Sequence, residues 1–267
     1  MALDLNTEEE NIRIDNVEIP FFRDFHGSYV KKAPEVKAAG RAIAPVYLIM
    51  ERKANSPKSD WGNNYFHSGD GAAYPAKGAY ERRRFKVVLD SQELTDITDD
   101  RELISGRLAI SYEGVKGTEF NEGDAILDRD LKENEVTDHP VWLELFRGNR
   151  DLLGQVAQKI FKEGRDAYKY DKMMGIYLAG ELATPSFGAL VVDGLEDVRS
   201  GLDGRNYLGN GGGRLVGIAP EALKKPHQLV RPYTLADLEA FDNSVSGLDG
   251  VINPNLLSPI RQLRSKL

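Results

Sequence analysis

"KANSPKSDWGNNYFHSGDGAAYPAKGAY", residues 53–80, decides how the rest of the chain is read. Asn, Gly, Ser and Pro make it irregular, and a structureless run of this length is uncommon inside a compact domain. It also carries the rings of Trp61, Tyr65, Phe66, Tyr74 and Tyr80. Solvated linkers seldom hold that much apolar area, because each ring gains by leaving water. The segment therefore has to pack, against its own domain or against a neighbouring chain. The second option makes those five rings an interface.

The composition supports a folded chain. Of 267 residues 41% are apolar, 10 Phe and 11 Tyr can furnish a core, and 26 Gly with 12 Pro imply many turns. An α+β fold follows: a strand-rich mixed sheet with two or three helices, long irregular loops and extended termini. There is no cysteine, which removes disulfides, thiolate metal sites and a thiol nucleophile. A net charge of −7 opposes nucleic acid. The start "MALDLNTEEENIRID" lacks a basic region followed by an apolar run, so no secretory leader is expected. The apolar runs fall far short of the roughly 20 residues of a membrane span. The expectation is a soluble chain made in the cytoplasm, with no cofactor implied.

Along the chain, residues 1–16 read as a polar arm and 17–267 as one large domain, with a weak subdivision near 130–138. "VEIPFFRDF" (17–25) is an aromatic strand that Pro20 confines to an edge or a bulge. "APVYLIMER" (44–52), "RRFKVVLDS" (83–91) and "GRLAISYEG" (106–114) read as strands, with a short acidic helix around 99–104. The strongest helix starts at "TDHP", where Asp138 can cap and Pro140 suits the first turn. Leu145, Leu152, Leu153, Val156 and Ile160 then form one stripe ending near Gly164. Further strands are expected at 173–182, 187–195 and 213–220, and a helix capped by Thr234 at 234–245. "SGLDG" at 200–204 and again at 246–250 reads as two similar turns.

"RNYLGNGGGRLVGIAP" (205–220) raises the question of phosphate binding. No Lys-Ser or Lys-Thr follows the glycines, and the dinucleotide spacing fails at Arg214 and Val216. Within it, "LGNGGGRLVG" (208–217) resembles the glycine-rich loops of CRISPR RAMP-type RNA-binding proteins. That resemblance implies an RNA phosphate facing Arg214 and the amides of Gly209, Gly211, Gly212 and Gly213. A basic strip, Arg82, Arg83 and Arg84, could join it. The bland alternative is a mobile hairpin or bulge.

Two histidines are candidates for acid–base chemistry. His67 lies three residues before Asp70, and Asp24, His26 and Ser28 alternate on one extended segment. No H-E-x-x-H or G-x-S-x-G pattern accompanies them. The dense carboxylates of 119–138 read as a solvated acidic surface. The function expected is a structural or assembly subunit of a large particle, plausibly of a virus or phage, associating with itself or other protein subunits. RNA binding through 209–217 is the alternative, and a hydrolase using His26 or His67 a second one.

Overall fold

The computed structural model describes residues 11–14, 17–20, 22–55, 64–78, 84–98, 103–121, 123–180 and 182–220. All of them fall within the unit Met1–Lys224. Trp61, Tyr80, Arg82, Arg83, the 234–245 helix and the second "SGLDG" lie outside the described residues.

In chain order the strands are β1 (Asn11–Ile14), β2 (Val17–Pro20), β3 (Phe22–His26), β4 (Ala42–Ile43), β5 (Phe66–Tyr74), β6 (Arg84–Val88), β7 (Leu103–Ile104), β8 (Arg107–Ala109), β9 (Thr118–Asn121), β10 (Ile176–Tyr177), β11 (Ser186–Val192), β12 (Leu202–Asp203) and β13 (Arg214–Ile218). The helices are α1 (Tyr29–Ala38), α2 (Val46–Asn55), α3 (Gln92–Thr95), α4 (Glu133–Val136), α5 (Pro140–Leu145), α6 (Arg150–Glu163) and α7 (Leu195–Val198). β1 and β2 form a separate hairpin, so part of the expected arm is paired. The other strands make one large mixed sheet along the path β10-β12-β11-β5-β13-β3. The α+β, strand-rich expectation therefore holds, with more helical segments than two or three. The single strand expected over 17–25 is two: β2, which ends at Pro20, pairs with β1 in the hairpin, and β3 ends the path of the large sheet.

The segment that opened the sequence reading contains the centre of this sheet. β5 runs between β11 and β13 and is buried at every position. Its small residues explain both its form and its irregular look. A Cβ at Gly71 would collide with the Phe187 ring of β11, so the neighbour closes onto bare backbone. Residues 44–52 are likewise corrected: the expected strand is helix α2. A short apolar run cannot separate a strand from a buried helix. Here Val46, Tyr47, Leu48, Ile49 and Met50 are all buried, and α2 packs on β5, β11 and α6.

The helix expected from 138 to 164 is two. Arg147 and Gly148 both have positive φ and break it, and Asn149 restarts it by accepting a hydrogen bond from Leu152 N at 3.0 Å. Asp138 does not cap; His139 stands at the N-cap and Asp138 pairs with Arg150. The apolar stripe of α6 is as expected, with Leu152, Leu153, Val156 and Ile160 buried. No helix occupies Leu103–Ile104, which is β7; the short helix is α3, capped by Ser91, and 99–102 lie outside the described residues. The strand expected over 173–182 shrinks to β10. Within 130–138, Leu131 forms an isolated antiparallel bridge to Met173.

A second group of core residues gathers under α1. Tyr29, Val30, Ala33 and Val36 meet Phe25, Leu208 and Leu215 from β3 and β13, with Leu108 and Phe187 beside them. Leu208 is the apolar anchor from which the glycine-rich loop leaves the core.

Candidate binding face

Three groups of residues carry chemistry in this fold: a buried carboxylate, a buried imidazole, and a loop-built face with an arginine beneath it.

Asp70 is fully buried on β5. Its Oδ2 accepts from Val46 N at 2.7 Å, the first amide of α2, and its Oδ1 from Asp90 N at 2.9 Å and Arg147 at 3.3 Å. A carboxylate set against the first turn of a helix satisfies an amide that no helical carbonyl can reach. Burial pushes its pKa up to about 6, against the lowering pull of Arg147 and the two amides. Asp70 is thus a clamp between α2, the turn after β6 and the break before α6.

His67 shares no hydrogen bond with it. The imidazole is 1% exposed, meets Tyr29 edge-on at 5.6 Å, and has no partner at either ring nitrogen. Gly213 seals it, since a Cβ there would lie 2.5 Å from Nε2. Burial pulls its pKa down to about 4, with the Asp203 charge a weaker opposing influence. An acid–base pair of His67 and Asp70 is therefore not assembled. At the other candidate, Ser28 is buried at the start of α1 and its Oγ has no partner, so His26 does not hold it as a nucleophile.

Lys53 and Asp193 form a further buried pair of charges. Burial pulls Lys53 down to about 7 and pushes Asp193 up to about 7, each softened by the other's charge. Lys53 donates to Asn64 O and lies 5.2 Å from the Phe66 ring, which its packing explains. Among the described residues, no group of three or more His, Asp and Glu side chains could hold a metal. A concavity of about 570 Å³ beside Ile126 and His139 has its carboxylates engaged: Glu135 with Arg129, Asp138 with Arg150 and Asp124 with Asn121.

The rings expected at an interface divide. Phe66 and Tyr74 are 0% and 2% exposed within the chain's own sheet, so this chain covers them itself. Tyr65 is half-buried and donates from its hydroxyl to Gly212 O at 2.6 Å, pinning the glycine-rich loop. Gly209, Gly211 and Gly212 are exposed, Gly213 is buried over His67, and Arg214 opens β13 opposite His26. Arg84 pairs with Glu119 at 2.5 Å, and Lys86 is buried, donating to Tyr112 O and Val115 O. The described part of the basic strip thus has its charges engaged within the fold.

What the sequence reading missed lies just before the glycines. Tyr207 is 55% exposed and Ile104 39%, and these are two of the three large apolar side chains exposed among the described residues. The Tyr207 ring lies against Gly106, at φ 75°, where a Cβ would collide with it. It also stacks 5.2 Å from the Arg107 guanidinium. Arg205 pairs with Asp203 at 3.1 Å and stands 5.0 Å from the Tyr177 ring. The signal in the sequence was the pair "SGR" (105–107) and "RNY" (205–207), a hundred residues apart, which the fold joins through the hydrogen bond from Leu208 N to Gly106 O at 2.9 Å.

No family model and no curated protein matches the chain. It is similar to a solved structure from work on how the C-type lectin fold accommodates massive sequence variation in Nanoarchaeota. The identity is 16% and the TM-score 0.49, over 74% of this chain and 96% of that one. Among the described residues, no helix is long and apolar enough to cross a membrane.

Proposed function

We propose that the chain is a non-catalytic assembly subunit that associates with itself or other protein subunits through the face built by residues 103–107 and 203–213. The observation that carries this reading is the exposed Tyr207, seated on an arginine beside Ile104 and a run of bare glycine backbone. Tyrosine and arginine are the side chains that most often dominate the energy of a protein contact, because they offer large rigid area together with polar ends. Of the rings expected at an interface from 53–80, Phe66 and Tyr74 are buried in the chain's own sheet, which turns the reading toward this face. The buried state of His67 and the missing partner of Ser28 Oγ favour binding over hydrolysis. Nothing in the described residues bears on a virus or phage particle.

Size-exclusion chromatography with light scattering at rising protein concentration tests this. The mass is expected to climb with concentration, and to climb further with added salt, which screens the repulsion between chains of charge −7. Tyr207→Ser is expected to weaken association by about 2 kcal/mol, a factor of roughly 30. A strict monomer at every concentration and salt would remove self-association.

A further inference from the structure

Arg107 poses a problem of charge. It is 3% exposed, and among the described residues no carboxylate pairs with it. Its acceptors are the backbone carbonyls of Arg205 and, at 3.5 Å, of Ser105 and Gly204. Its Nε–H has no acceptor at all. The faces of Tyr74, at 5.9 Å, and Tyr207, at 5.2 Å, supply the rest of its surroundings. Buried guanidinium groups are ordinarily matched by an anion, because carbonyls and rings return only part of the lost hydration.

The surroundings are shaped around this side chain. The Arg107 stem lies along Gly188, 3.5 Å from where a Cβ would stand. A Cβ at Gly204 would collide with the Tyr74 hydroxyl, which donates to Gly204 O at 2.9 Å. Ser186 pairs with both Tyr74 and Ala109, so alternation puts it on the Arg107 side of the sheet. Its Oγ is also buried without a partner. Two unmet polar groups therefore share one face, and the cover over Arg107 is the exposed Tyr207.

We propose that Arg107 is the base of an oxyanion site, closed in this structure by the Tyr207 ring, which takes a carboxylate or phosphate group. When that ring swings outward the guanidinium offers its planar donor fork to the anion, the geometry that suits both carboxylate and phosphate. The inference deepens the proposed contact and rests on the same face, since a partner's acidic side chain is one source of such a group.

The test uses the full chain at a concentration where light scattering gives the monomer, so that binding and association can fail separately. Acetate and phosphate are titrated at constant ionic strength against chloride, following the arginine Nε–H signals by nitrogen–proton correlation spectroscopy. The Arg107 signal is identified by its absence in Arg107→Lys, or through side-chain correlations of the unmutated chain if that variant does not fold. A saturable shift of this signal with acetate or phosphate, and none with chloride, is expected. Tyr207→Ala should tighten it at least tenfold. A stronger response to acetate marks a carboxylate site, and to phosphate a phosphate site; either supports the proposal. No saturable shift with either anion in Tyr207→Ala overturns it.

Discussion

Asp70→Ala is expected to destabilise the protein by about 4 kcal/mol, the cost of removing one partner from a buried charged cluster. The carboxylate holds Val46 N, Asp90 N and Arg147 together, and alanine leaves two amides without acceptors and a guanidinium without its inner partner. Arg147 keeps Asp90 at 2.8 Å, so the surface half of the cluster survives. The damage should concentrate at the start of α2. Asp70→Asn retains the shape and one acceptor, and is expected to cost about 2 kcal/mol. Urea unfolding of the three chains measures both values. An Asp70→Ala midpoint equal to the wild type would mean that α2 does not depend on this cap.

The second large effect appears on acidification. The unfolded imidazole of His67 takes its proton near 6.5, whereas burial delays this to about 4 in the folded chain. Its contribution to stability is therefore complete above 6.5 and is lost as pH falls through 4. His67→Phe keeps a flat ring and has nothing to titrate. Its stability relative to the wild type should rise as pH drops from 6.5 to 4, gaining about 3 kcal/mol at the lower end. Asp70 and Asp193 act in the opposite sense. Burial raises them to about 6 and about 7, so their contributions are full below 3.8 and fade as pH rises through those values. Both chains share those carboxylates, so the difference between them isolates His67. Denaturation curves at pH 7, 6, 5 and 4 read it, and parallel curves would show that the imidazole is not sealed.

The elements most legible in the sequence were those whose pattern is local. The stripe of α6 and the strands β11 and β13 follow from spacing alone. β5 was not legible, because Gly69, Gly71, Ala72 and Ala73 replace the branched residues that usually mark a strand. Its identity comes from Phe187 descending onto Gly71, a long-range contact that no window of sequence shows. The start of α2 was hidden for the same reason: its first amide is satisfied from Asp70, twenty-four residues away. The proposed binding face lay unseen because Tyr207 and Arg107 carry no motif and meet only across a long-range contact, with Leu208 N hydrogen-bonded to Gly106 O.

Hydrogen exchange of the full chain at low and high concentration tests most directly where this protein meets its partners. Amides of 66–74 should exchange slowly and identically at both concentrations, because the chain's own strands cover them. Those of 205–213 should exchange fast when dilute and slow down when concentrated. Protection of 66–74 that develops only at high concentration, with 205–213 unchanged, would return the interface to the ring-rich segment and contradict the account.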